Sequence, residues 1–147
     1  MVFLLALLLI VASVRDIQTR RIPNCLCAAG VLAGLVGHVW HDGWPGFLMS
    51  LSGIAAALPL LLLYAVGALG AGDVKLLIAV GALTGPHFLL WTLLGAIFAG
   101  AALALLWIVR RSVLRLSPVT LKARMPFAPA IALGAAWAFV HLHLRPL

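Results

Sequence analysis

The sequence predicts an all-α integral membrane protein, a bundle of about six transmembrane helices with both termini on the outer (periplasmic) side. Three observations carry this expectation. Of 147 residues, 65% are hydrophobic and 9% are charged, whereas a soluble domain carries roughly 25% charged residues. The apolar residues fall into six runs: Met1–Val14, Cys25–Trp40, Phe47–Leu69, Val74–Leu83, His87–Val109 and Phe127–Leu142. The basic residues collect in alternate connections between those runs. A chain this long has room for one domain, 1–147, spent almost wholly on spanning segments.

The first run is apolar from its first residue and its positive charge follows it, the reverse of a cleavable secretory signal, so it reads as a retained helix. Ile22 precedes a proline and is pushed toward extended backbone, which ends the first connection. Pro23 and Asn24 then suit a helix start, with one of them near the cap. Cys25 and Cys27 make a single C-x-C. A disulfide across one residue would be strained and no second pair exists for a metal, so packing is the expected role. Gly30, Gly34 and Gly37, with Ala28, Ala29 and Ala33, give this helix a small-residue face suited to close packing or to receiving a substrate helix.

A span needs about 20 residues. The third and fifth runs meet this, whereas the first and fourth must borrow neighbours, tilt, or thin the bilayer. The neighbours they borrow include Asp16 and Asp73. Arg15, Arg20 and Arg21 occupy the first connection, Lys75 the third, and Arg110, Arg111, Arg115, Lys122 and Arg124 the fifth. The connections His41–Gly46 and Thr84–Pro86 carry no Lys or Arg. With six crossings, the three basic connections face the cytoplasm, where Asp16 and Asp73 then share one face and Asp42 lies at the other. The net charge of +7 is thereby explained by topology, and no nucleic-acid partner is expected.

Asp16, Asp42 and Asp73 are the only acidic residues, and there is no glutamate. A carboxylate at a hydrocarbon boundary is costly and marks a candidate site. Two readings of Asp73 stand: a helix N-cap that accepts from the amides of Val74–Leu76, or a reacting group. Gly70 and Gly72 before it remove side chains, so another backbone or a peptide substrate can approach. Asp16 lies near the C-terminal end of its helix, where its charge opposes the dipole, which argues against capping. A salt bridge to Arg20, plain solvation, or a site role remain. If the two acids meet, they share a proton. One then serves as base toward water and the other as acid toward a carbonyl, with no metal and no cofactor.

At these residues the chain resembles the type IV prepilin peptidases, intramembrane-type aspartic proteases of bacteria. The matching segments are Asp16 followed by Arg21-Ile22-Pro23-Asn24, then Gly70-Ala71-Gly72-Asp73 with Lys75, and finally Met125-Pro126-Phe127-Ala128-Pro129 at the last helix. The resemblance implies that Asp16 and Asp73 are the catalytic pair. Gly70, Gly72, Lys75, Pro23, Asn24, Pro126 and Phe127 are implied to shape the site or bind substrate. The implied reaction removes a short basic leader from a prepilin or pseudopilin at the cytoplasmic boundary of the inner membrane, with membrane lipid as surroundings. Long members carry an N-terminal region with paired C-x-x-C motifs and also methylate the new N-terminus. This chain is similar to the short form associated with tight-adherence (Flp) pili, so peptidase activity is expected without a methyl-donor cofactor.

The secondary features have plainer readings as well. Lys75 can tune a carboxylate, hold a carbonyl, or snorkel to the interface. Pro126 and Pro129 suit the first turn of the last helix. The histidines are expected at the outer interface without metal spacing, and Trp40, Trp44 and Trp91 in an aromatic belt. Two other functions compete: a non-catalytic scaffold subunit of a pilus or secretion machine, and a proton-coupled transporter. The latter would prefer an acid at the bilayer midplane or an inverted repeat, and neither is seen. Nothing in the sequence sets the oligomeric state.

Overall fold

A computed structural model describes residues 2–19, 22–67, 69–113 and 127–143. They form five helices: α1 (Val2–Thr19), α2 (Asn24–Ala57), α3 (Leu60–Ala65), α4 (Ala71–Val113) and α5 (Ala128–His143). No strand occurs among the described residues.

The two long helices are each broken by a glycine. Gly43 in α2 has φ 60° and ψ −133°, and Gly85 in α4 has φ 79° and ψ 176°. Backbone with such φ is rarely adopted by a residue that carries a Cβ. A proline follows each break closely, Pro45 and Pro86, and removes a backbone donor that a continuous helix would use. A side chain at Gly46 would run into the His38 carbonyl, so the second half of α2 folds back along the first. Gly81 and Leu89 meet in the same way across the α4 break. Both breaks fall in the connections expected from the sequence.

The expected run Phe47–Leu69 is apolar throughout, but its helix is interrupted. α2 ends at Ala57, and Pro59 caps the short α3. Gly67, with φ 76°, then leads toward α4. Pro59 has no N–H to extend the helix, a local effect that hydrophobicity alone does not reveal.

The first half of α4 is the central element. Val74, Leu76, Leu77, Ala79, Val80, Ala82 and Leu83 are all at most 2% exposed. On one side of it, Gly30 lies against Ala79 and Gly34 against the Ala82 backbone. On the other, Gly53 lies against Gly81, and the buried Ser50 Oγ donates to the Ala82 carbonyl at 2.8 Å. The His38 Nε2–H donates to the Leu83 carbonyl at 3.0 Å. Pro86, four residues after Ala82, has no N–H to offer that carbonyl, and Ser50 supplies a donor there. Leu8 of α1 covers Gly30, and Gly134 of α5 packs on Thr92 and Ala96. Small residues at these contacts let the backbones approach closely, as packing within a bilayer favours. The small face of α2 is thus used for packing at Gly30 and Gly34, whereas Ala28 and Ala29 point outward.

The outer surface is apolar, with Phe3, Trp40, Trp44 and Leu62 largely exposed. Three helical runs, Val2–Thr19, Asn24–Ala65 and Ala71–Arg110, are long and apolar enough to cross a membrane. Trp91 joins a cluster between α4 and α5, 4.3 Å from His141 and 5.6 Å from Trp137 between ring centroids. The Trp91 indole also donates to His87 at 3.4 Å.

Candidate active site

The end of α1 and the starts of α2, α4 and α5 converge at one end of the bundle. Asp16, in the last turn of α1, is buried at 7% exposure. Its Oδ2 accepts a hydrogen bond from the backbone amide of Ala128, 3.0 Å away and 112 residues on. Ala128 is the first residue of α5, so the carboxylate lies at the positive end of that helix's dipole. Asp16 does cap a helix, contrary to the sequence reading. The charge does oppose the dipole of α1, but the helix it caps is α5.

Asp73 is the third residue of α4 and not its N-cap, which corrects the expected geometry. The Val74 amide donates to the Gly70 carbonyl at 3.2 Å, so Gly70 holds the cap position. The Asp73 carboxylate reaches back to the Gly70 backbone amide, the return arm of a capping box. A methyl group on Gly70 would lie 2.7 Å from Asp73 Oδ2, and one on Gly72 would lie 3.4 Å from Ile22 Cβ. The space left by both glycines is therefore taken by the chain itself: by the carboxylate at Gly70, and by the first connection at Gly72.

A second tie joins the same two segments. Lys75 Nζ donates to Asn24 Oδ1 at 2.9 Å. Pro23, in extended conformation, is the N-cap of α2, and its carbonyl accepts from Leu26 at 3.1 Å. The Asn24 side chain is thereby left for Lys75. Asp16 and Asp73 come within electrostatic reach of each other. Cys27, 5% exposed, lies within such reach of Asp73 and Lys75. Sequence reasoning treated it only as packing. Cys25 is exposed and does not pack.

Phe127 is partly buried next to Ala128. Pro126, Arg20 (the ion-pair partner considered for Asp16), Arg21, and residues 114–125 with their basic side chains lie outside the described residues. Asp42 is exposed beside the Gly43 break. The α2 segment between Asn24 and Asp42 places it about 27 Å from this end, at a rise of about 1.5 Å per residue. Among the described residues, no group of three or more His, Cys, Asp or Glu side chains is arranged to hold a metal ion.

The described residues form an apolar-surfaced helical bundle with two carboxylates where helix termini converge, which defines a membrane protein with a candidate paired-acid site. Residues 3–105, which include both aspartates and cover more than two thirds of the chain, match the type IV leader peptidase family. The chain belongs to that family, and its general function is that of a leader peptidase. No curated protein and no solved structure gives a significant match.

Proposed function

We propose that this protein is an aspartic endopeptidase that removes the basic leader from a type IV prepilin or pseudopilin at the cytoplasmic face of the bacterial inner membrane. The observation that carries the reading is the meeting of Asp16 and Asp73 at one end of the bundle, each held by a backbone amide at a helix start. In this reading the two carboxylates close on one water molecule and share one proton. The ionised partner takes a proton from a water molecule as the water oxygen bonds to the scissile carbonyl carbon. The protonated partner gives its proton to the carbonyl oxygen, forming a gem-diol. In the collapse the now ionised partner takes a proton from a gem-diol hydroxyl as the carbonyl re-forms and the C–N bond breaks. The other partner gives its proton to the leaving amine nitrogen, so the pair again holds one proton. Neither step requires a covalent intermediate.

The roles of the remaining residues follow from their contacts. Gly70 admits the Asp73 carboxylate, Gly72 admits Ile22, and the Lys75–Asn24 bond ties α4 to α2. In this reading the chain makes six crossings, because each glycine break reverses a long helix, and both termini lie outside. The distribution of Lys and Arg supports that orientation. The substrate is a basic leader followed by an apolar helix, which must become extended at the cleavage point. The peptidase step itself uses no methyl donor. The test is cleavage of a co-expressed short prepilin by wild type, Asp16→Asn and Asp73→Asn, with the mass of the new N-terminus reporting whether a methyl group is added.

A further inference from the structure

Gly100 belongs to none of the sequence motifs, yet it lies against the residue that immediately precedes α5. The first turn of α5 offers a single amide to Asp16. Pro129 has no N–H, and the Ala130 and Ile131 amides both donate to the Phe127 carbonyl, at 3.0 and 3.2 Å. The Ala128 amide remains, and it donates to Asp16 Oδ2. Its position depends on the residue before it. The Phe127 ring lies directly on Gly100, in the second half of α4. A methyl group at residue 100 would be 2.6 Å from Phe127 Cε2 and 3.3 Å from Cζ. Ala128, Ala130 and Ile131 are at most 1% exposed, so this turn cannot move without repacking α5.

We propose that Gly100 and Phe127 form a lock that positions Asp16: the ring seated on the bare backbone of α4 fixes the Ala128 amide, and that amide fixes one carboxylate oxygen. This inference rests on the reading of Asp16 as a reacting group. A hydrogen bond from an amide to a carboxylate is short and directional. When the ring is lifted off Gly100, the amide moves with it, and the Asp16 carboxylate loses its set orientation toward Asp73. Neither lock residue touches the substrate in this account, so the loss falls on the chemical step and not on binding.

The test uses purified full-length enzyme in detergent and a synthetic substrate with a basic leader and an apolar helix. Rate constants and melting temperatures are measured for wild type, Gly100→Ala, Phe127→Ala, the double variant Gly100→Ala/Phe127→Leu, and Asp16→Asn. Gly100→Ala and Phe127→Ala are expected to lower kcat roughly 10- to 100-fold, the scale of a misplaced catalytic group, with KM unchanged. The double variant regains much of that kcat, because leucine clears the added methyl. Phe127→Ala needs no extra space, so it tests the lock even if Gly100→Ala does not fold. Wild-type kcat in folded Phe127→Ala beside an inactive Asp16→Asn overturns the lock alone. A change confined to KM overturns it too, by making Phe127 a substrate contact. Cleavage by Asp16→Asn overturns the reading of the site and the lock with it.

Discussion

Replacing Gly34 with alanine tests whether the protein is built around the first half of α4. The new methyl group would lie 2.5 Å from both the carbonyl carbon and the oxygen of Ala82, and 2.8 Å from the Leu83 nitrogen. All three are backbone atoms, so no side chain can rotate away. Carbon contacts settle near 3.5–4.0 Å, so the first half of α2 must retreat from α4 by about 1 Å. Overpacking of this kind costs about 1–3 kcal/mol. The Ala82 and Leu83 carbonyls also carry the bonds from Ser50 and His38, and weakening them adds about 0.5–1.5 kcal/mol each. The expected total is about 2–6 kcal/mol, a fall in melting temperature on the order of 10 °C for a chain of this size. Thermal unfolding of the detergent-solubilised protein measures it. Ala29→Leu provides the contrast, since Ala29 belongs to the same small-residue run but faces outward, and a change within about 0.5 kcal/mol is expected there. A Gly34→Ala protein that melts with wild type, or an Ala29→Leu protein that melts far below it, would refute the packing argument.

Other consequences follow from single contacts. Ser50→Ala leaves the Ala82 carbonyl without its buried donor and should destabilise by about 1–2 kcal/mol in the same melting assay. Gly70→Ala puts a methyl 2.7 Å from Asp73 Oδ2. It should cut kcat roughly 10-fold or more while the melting temperature stays near that of wild type. Wild-type turnover in this variant would show that the Asp73 carboxylate does not need its observed position. Asn24→Ala frees the exposed Lys75. Stability should change by less than about 1 kcal/mol, while turnover falls, and unchanged turnover would remove this bond from the account of the site.

Much of this architecture was legible in the sequence because it depends on local chemistry. The segment boundaries at His41–Gly46 and Thr84–Pro86 coincide with the Gly43 and Gly85 breaks, since glycine followed by proline interrupts a helix whatever surrounds it. Asp16, Asp73, Pro23 and Asn24 were each recognisable from position and residue type. What they touch was not, because those contacts join distant segments. The amide that Asp16 accepts belongs to residue 128, and Lys75 bonds to residue 24. Asp73 lies three positions past the cap of its own helix, and Asp16 caps a helix other than its own, neither of which the residues of a single helix reveal. Ser50 and Gly100 gave no sequence signal, being a serine and a glycine among many small residues in apolar runs. The bond from His38 to the Leu83 carbonyl was not legible either, because it joins α2 to the stretch of α4 beside the Gly85 break.

The central claim is that Asp16 and Asp73 together carry out the cleavage. The most direct measurement is leader removal from a co-expressed prepilin by wild type, Asp16→Asn and Asp73→Asn, with membrane insertion of each variant checked in parallel. The asparagine variants keep the size of the side chain and an oxygen that accepts the amide hydrogen bond, so the fold should persist. The account predicts that wild type releases the mature pilin and that neither inserted variant does. Cleavage at the wild-type level by either one would contradict it.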